Sequence, residues 1–406
     1  MKILQISAVY KQGSVGKIVS DIHNYLLKQG VESYVCYGVK NKNVEPANNV
    51  MRCGTEFLRQ TNHVRHYLTG MEMDGCHYST QQFIKKIKEI KPDIVHVHCM
   101  NDYYLNSLKL LKFLGENKIK TIFTLHCEHS YTGSCGYALN CDKWKNGGCD
   151  NHCHFFNEDR NSLFPLFDRS RKMWLRMNKA FSYFENNNVH FCSCTPWLDK
   201  RLSESTILSR FTNHTVIFNG ADSEVYKVYG NLVKNEENRK TILYVCPRFT
   251  DPIKGATQIN EIAKRFLNDE SISFRLAGRV PQDYKFESNI TTIGPRYNTD
   301  LAKEYSNADV SIMLSKAECF PMVCVESVLC GTKVVAFKCG GPDEAYSPDL
   351  VRFVEQKDYD GFAATIQEIL NSGYDKSSIE KTAKSLYSQD VMAKGYYDTY
   401  INFLGK

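Results

Sequence analysis

Long hydrophobic runs are the first thing this 406-residue chain lacks. No apolar stretch approaches the ~18 residues that a membrane span requires. The opening Met1-Lys-Ile-Leu-Gln5 reads as a strand and not as a charged head before a long apolar segment, so no signal peptide is expected. Charge of one sign is also scarce. The net charge of +6 is too small and too dispersed to argue for nucleic acid, though it favours anionic partners such as nucleotide diphosphates or acidic lipid. A G-x-G-x-x-G fingerprint is absent, which sets aside a dinucleotide-binding reading. No Asp-x-Asp pair is placed to hold Mg²⁺, and there is no short-period repeat or low-complexity tract.

What is present is an ordinary soluble composition, 42% hydrophobic and 24% charged, in a chain long enough for two domains. Cysteine is abundant, at 16 residues. Most sit inside apolar runs, such as Cys36, Cys192, Cys194, Cys246 and Cys324, where they act as small buried hydrophobes. With no secretion signal, a reducing cytoplasmic setting is expected and a disulfide framework is not.

Strand and helix patterns alternate, which implies parallel sheets with helices on both faces. Lys2 to Val9 reads as a buried strand, Gly13-Ser-Val-Gly16 as a loop, and the residues from Lys17 to Gly30 as a helix. Further strands are expected at Ser33 to Tyr37, Ile94 to His98, Ile119 to Leu125 and His190 to Cys194, with a helix from Tyr103 to Asn117. Thr195-Pro196 looks like a helix cap and first turn. A second α/β series starts near Val216, with strands at Thr241 to Val245, Ile272 to Ala277, Ile290 to Ile293, Val310 to Leu314 and Lys333 to Phe337. The expected division is 1–214, 215–388 and a final Tyr-rich helix in 389–406, with ligands at the carboxyl ends of the strands.

The segment Glu318-Cys-Phe-Pro-Met-Val-Cys-Val-Glu326 carries the most chemistry. Its two carboxylates flank a turn that opens onto a helix, Met322 to Leu329, with Pro321 fitting the first helical position. The free N–H groups of Met322 and Val323 then suit phosphate, and the carboxylates suit sugar hydroxyls. Alone, two Glu at this spacing say little. Upstream, however, Arg248 and Lys254 place two cations around a strand-to-helix loop, which suits a diphosphate.

Arg248, Lys254 six residues later, and the Glu318-x7-Glu326 motif together resemble the retaining glycosyltransferases of family four, which have the GT-B fold. The resemblance extends to Met1–Ser7, Thr124-Leu-His126, Asn219-Gly-Ala-Asp222 and Gly340-Gly-Pro-Asp-Glu344. It implies two Rossmann-like, doubly wound domains facing a cleft, with the donor on the second and the acceptor on the first. It further implies that Glu318 binds the donor sugar, with Phe320 beside it, and that Glu326 binds the ribose. Gly16 in the glycine loop would approach the donor phosphate, and His126 would contact the donor sugar. Pro321 stands where many relatives have Gly, and Cys127-Glu128 where they have Asp. His98 and Asn101, at another strand end, are acceptor-side candidates or ordinary loop residues.

Two further features carry alternatives. Cys135, Cys141, Cys149 and Cys153 lie in a polar insertion at about 127–157, and four thiolates suit a structural zinc, while unpaired buried thiols are the plainer reading. In Leu163 to Phe184, Trp174, Met177, Phe181 and Phe184 share one helical face, and Arg169, Lys172, Arg176 and Lys179 the other. Such a helix lies on the inner face of an anionic membrane or packs its apolar face into the core.

The resulting expectation is a metal-independent retaining enzyme. It would move a sugar from a nucleotide-diphosphate sugar to a saccharide acceptor, lipid-linked, in bacterial capsule or exopolysaccharide synthesis. The rivals are a sugar-nucleotide epimerase of the same architecture and an inactive binding subunit.

Overall fold

The apolar run at the start of the chain becomes β1 (Lys2–Ser7), in which Ile3, Leu4 and Ile6 have no exposed surface. It pairs in parallel on both sides, so both its faces need cover, and a near-continuous apolar run results. The computed structural model describes residues 1–42, 44–45, 47–153, 165–230 and 239–405. They fall into two units, Met1–Ile217 with Ala393–Lys406, and Phe218–Met392.

In the first unit β1 is joined by β2 (Glu32–Tyr37), β3 (Val50–Arg52), β4 (Ile94–Val97), β5 (Thr121–Leu125), β6 (Val189–Ser193) and β7 (His214–Val216). The sheet is parallel throughout, in the order β3-β2-β1-β4-β5-β6-β7. The second unit has β8 (Lys240–Cys246), β9 (Ile272–Gly278), β10 (Ile290–Gly294), β11 (Val310–Met313), β12 (Val334–Phe337) and β13 (Val351–Val354), also parallel, in the order β10-β9-β8-β11-β12-β13. Strand order reverses between β1 and β4 in one unit and between β8 and β11 in the other. These switch points open a crevice at the carboxyl ends of the strands.

The last helix, Gln389–Leu404, gives its residues from Ala393 onward to the first unit. There Tyr396 and Tyr400 are buried on β4 and β5, with the Tyr400 hydroxyl 2.6 Å from His96 Nδ1. Thr195 caps the Pro196–Glu204 helix by accepting from Leu198 N–H, as its position suggests.

Several expectations need correction. The Gly13-Ser-Val-Gly16 segment is not a loop but the first turn of a helix, Gly13–Lys28. Lys11 N–H donates to Gly16 O, and a Cβ on Gly16 would lie 3.2–3.3 Å from the Tyr10–Lys11 backbone, so the glycine lets the preceding chain fold down onto the helix. The helix expected from Tyr103 runs from Ser107 to Glu116, because Asp102 and Tyr103 both adopt left-handed backbone that a helix cannot contain. The edge strands β3, β7 and β13 are only three or four residues long and mostly half-exposed, too short to show a strand period in the sequence.

The Leu163 to Phe184 segment also turns out differently. Residues 163 and 164 lie outside the described residues, as do 154–157 of the Cys-rich insertion. The helix spans Ser170–Phe181, and its apolar face is core: Met173, Met177 and Phe181 have no exposed surface, and Trp174 and Phe184 are buried. Phe181 and Phe184 pack against Phe123 of β5. That face is therefore not available to lipid.

Candidate active site

In the second unit, β8 ends at Cys246 and the chain turns through Pro247 and Arg248. Asp251 accepts from Ile253 N–H and caps a single turn, Pro252–Lys254, that Gly255 ends with φ +59°. A Cβ on Gly255 would lie 2.1 Å from Leu314 O, so only glycine allows this turn to press against the end of β11. Lys316 N–H donates to Ile253 O at 2.7 Å and fixes the contact. The turn thus delivers Lys254 Nζ to Glu318 Oε1 at 2.6 Å, and Ser315 Oγ donates to the same oxygen at 2.9 Å.

Glu318 is itself held on its backbone. Its N–H donates to Cys339 O, and Gly341 N–H donates to Glu318 O at 3.0 Å. A Cβ on Gly341 would meet Cys319 O at 2.0 Å, which accounts for glycine in the Gly340-Gly341 pair. Burial works to lower the Lys254 pKa, but the Glu318 carboxylate outweighs it, so the ammonium is held more firmly than usual. Arg248 is exposed, and among the described residues no carboxylate pairs with it.

The Met322–Leu329 helix forms over the expected residues. Pro321 is its N-cap, with ψ 116°, and not its first helical residue. That extended ψ lets the Pro321 carbonyl accept from Cys324 N–H and the Tyr346 hydroxyl. No side chain caps the helix, which leaves the N–H groups of Met322 and Val323 directed at the loop. The Phe320 ring does not face the crevice. It packs among Phe218, Tyr346 and Tyr387.

Glu326 is half-buried and hydrogen-bonds the Tyr226 hydroxyl. Burial first, and then that carboxylate, raise the Tyr226 pKa, so the phenol stays protonated and donates. Sequence reasoning passed over Tyr226. Its one signal is a place four residues after Asp222 of the Asn219-Gly-Ala-Asp222 motif, whose Asp222 O accepts from Tyr226 N–H.

In the first unit, His98 and His126 extend from the ends of β4 and β5. They stack with His98 Nδ1 and His126 Nε2 3.3 Å apart, and both line a cavity with Asn101, Cys99, Cys127 and His129. Gln5 Nε2 donates to Val19 O, which turns Gln5 Oε1 toward His98 Nε2 at 3.0 Å. His98 therefore carries its proton on Nε2 and accepts from His126 Nε2–H, leaving His126 Nδ1 as an acceptor. Burial pushes the His126 pKa down to about 4, so the imidazole is neutral near pH 7. His129 is buried beside Glu72, with Nε2 3.3 Å from the carboxylate.

Glu128 is structural. Its buried carboxylate accepts from Arg201 Nε, the Tyr131 hydroxyl and Ala138 N–H, at 2.6, 2.9 and 2.6 Å. Arg201 in turn stacks on Trp144 and Trp197. This pair anchors the Cys-rich insertion. Burial, with smaller contributions from Cys141 and Cys153, pushes the Cys149 thiol up to about 11. The four insertion thiols lie within electrostatic reach of one another, yet among the described residues no group of three or more His, Cys, Asp or Glu side chains is gathered to hold a metal ion.

Residues 231–386 match the family model described as glycosyl transferases group 1. The second unit thus carries a group 1 glycosyltransferase domain. The chain is 24% identical over 157 residues to the Escherichia coli (strain K12) protein named as a colanic acid biosynthesis glycosyl transferase, WcaC, a match that covers 36% of this chain and 38% of that protein. Among solved structures, sucrose-phosphate synthase from Thermosynechococcus elongatus superposes with a TM-score of 0.69 at 15% identity, covering 100% of this chain and 99% of that one. Anabaena Alr3699/HepE, solved with UDP and glucose, superposes with a TM-score of 0.64 at 15% identity over 99% of this chain and 100% of that one. The fold is GT-B, two doubly wound parallel-sheet α/β units.

Proposed function

We propose that this protein is a retaining, metal-independent glycosyltransferase that uses a nucleotide-diphosphate sugar and extends a lipid-linked saccharide for a bacterial surface polysaccharide. The observation that carries this reading is the gathering of Lys254, Glu318 and the uncapped Met322–Leu329 helix at the carboxyl ends of β8 and β11, with Arg248 at the rim.

Glycosyl transfer needs the charge on the departing diphosphate neutralised and the sugar held. Arg248 and Lys254 supply the positive charge, and the helix N–H groups bind phosphate oxygens. Glu318 accepts from sugar hydroxyls, using the oxygen that Lys254 and Ser315 do not engage. Glu326 accepts from the ribose hydroxyls, in an orientation set by Tyr226. On this reading the acceptor oxygen bonds to the anomeric carbon on the face that the phosphate leaves. The acceptor's proton passes to the departing phosphate oxygen, and no side chain acts as nucleophile. In the first unit, neutral His126 offers an acceptor nitrogen to a sugar hydroxyl.

The test is a metal-free panel of UDP-, GDP-, ADP- and dTDP-sugars, read by thermal stabilisation and slow donor hydrolysis. One donor should both stabilise the protein and be hydrolysed. A folded protein that responds to none of them, or an Arg248→Ala variant that transfers as well as the parent, overturns the assignment.

A further inference from the structure

Two phenols converge on Glu326. Tyr226 donates to its carboxylate. The second, Tyr305, belongs to the Asn298–Asn307 helix, which packs against the Met322–Leu329 helix that carries Glu326. Tyr305 has no exposed surface, and its hydroxyl has no hydrogen-bond partner among the described residues. The charged group that acts on this hydroxyl most is Glu326, with Tyr226, Cys324 and Cys330 following. The hydroxyl therefore stands close to the carboxylate without bonding to it.

The backbone around the two phenols is tied down. Thr332 Oγ1 donates to Tyr305 O at 2.7 Å. Tyr229 N–H donates to Ser306 Oγ at 2.7 Å, which fastens the segment bearing Tyr226 to the end of the Tyr305 helix. Lys227 N–H reaches the Cys330 thiol at the end of the Glu326 helix. A buried hydroxyl that gives up water and gains no partner is destabilising, and phenylalanine would fill the same space without that loss. Such a group needs an explanation, and a ligand that completes its bonding is one.

Glu326 is the link to a ligand. It is half-buried, and the reading above gives it the ribose hydroxyls. A vicinal diol is held best by both oxygens of a carboxylate whose plane is fixed. A further buried donor fixes that plane, and Tyr305 is a donor in reach with nothing else to bond.

We propose that Tyr305 is a positioning residue of the nucleotide site: when a ribose engages Glu326, the carboxylate turns to accept from the Tyr305 hydroxyl as well as from Tyr226, and the two phenols hold it in the plane that reads the 2′- and 3′-hydroxyls. Because Glu326 meets ribose only on the transferase reading, this role rests on that reading. It makes the site selective for ribonucleotides over their 2′-deoxy forms.

The experiment is isothermal titration calorimetry of the full chain with UDP, GDP, ADP and dTDP, and with the 2′-deoxy counterpart of the ribonucleotide that binds. It is repeated on Tyr305→Phe, and the melting temperature of each ligand-free protein is measured. The parent should bind the ribonucleotide about tenfold more tightly than its 2′-deoxy form. Tyr305→Phe should lose about tenfold for the ribonucleotide and little for the 2′-deoxy form, so that the discrimination shrinks. The ligand-free variant should melt at the parent's temperature or above it, because the hydroxyl it lacks had no bond to lose. A variant that binds both nucleotides as the parent does overturns the inference. So does one that melts lower and loses both nucleotides equally, which would assign the hydroxyl to helix packing alone. A parent that prefers dTDP, which lacks the 2′-hydroxyl, also overturns it while leaving the nucleotide-diphosphate reading standing. A parent that binds none of the four sinks that reading, and the role of Tyr305 with it.

Discussion

Lys254 Nζ lies 2.6 Å from Glu318 Oε1, an ion pair between residues 64 apart in sequence, one from the loop after β8 and one from the loop after β11. Glu318 is nearly enclosed while Lys254 stays one-third open, so the pair faces outward through its cation. A diphosphate reaching Lys254 would share the ammonium with Glu318, and each partner would keep the other charged and oriented until then. Glu318→Gln and Lys254→Met are each expected to lower kcat by about a hundredfold or more, the usual scale for removing one preorganised polar group. The double variant should lose much less than the product of the two. Donor-turnover assays on the three variants check this, and multiplicative losses would show that the pair does not act as a unit.

The protonated Tyr226 hydroxyl donates a hydrogen bond to the Glu326 carboxylate. Tyr226→Phe removes that donor and frees the carboxylate to rotate. The expected result is a rise of roughly tenfold in KM for the nucleotide sugar, with kcat little changed, since a bond to a charged group is worth ~1.5–3 kcal/mol. Steady-state kinetics decide it, and a fall in kcat at constant KM would place Tyr226 in the chemistry instead.

Glu128 and Arg201 form a buried ion pair, with side chains 1% and 13% exposed. Removing one partner of such a pair strands the other. Arg201→Met is expected to destabilise the protein by about 3–5 kcal/mol, and Arg201→Met/Glu128→Gln by less, because the second change removes the stranded charge. Denaturant unfolding measures both, and a double variant weaker than the single one would show that the Glu128 carboxylate is valued for its bonds to Tyr131 and Ala138, not for its charge.

Local signals made much of the fold legible. Apolar runs placed the central strands to within a residue or two, and the apolar stretch after Pro321 placed the Met322–Leu329 helix. Arg248 and Lys254 stood out as cations around a strand-to-helix loop, and Glu318 as one of two carboxylates flanking a turn that opens onto a helix. What stayed hidden depends on partners far along the chain. Glu128 read only as a neighbour of His126 with no clear role, and its bond to Arg201, 73 residues away, shows that it holds the insertion. Tyr226 meets a carboxylate 100 residues on. The Ser170–Phe181 helix shows a third limit: amphipathic spacing reveals that a helix has an apolar face, but not whether core or lipid covers it. Here the core does.

The buried histidines give stability a direction in pH. Burial pushes His23, His126 and His190 down to about 4, and holds His96 and His98 well below the ordinary value of 6.5. Each therefore binds a proton more readily in the unfolded chain than in the folded one. Where the unfolded state binds more protons, stability rises with pH. The contribution of these groups is fully present above about pH 6.5 and is lost as pH falls toward 4, as the unfolded imidazoles charge and the folded ones stay neutral. The carboxylates whose folded pKa lies below their ordinary value, Glu72 and Asp74 among them, lose their contribution only at lower pH, so the first decline belongs to the imidazoles. The melting temperature should fall steadily from about pH 6.5 downward, and unfolding near pH 5 should take up several protons, read from calorimetric enthalpies in buffers of different ionisation heat. A melting temperature flat across that window would mean that His96, His98 and His126 are charged in the folded protein. The hydrogen-bond order Gln5–His98–His126, which needs His98 Nδ1 as an acceptor, would then be wrong as well.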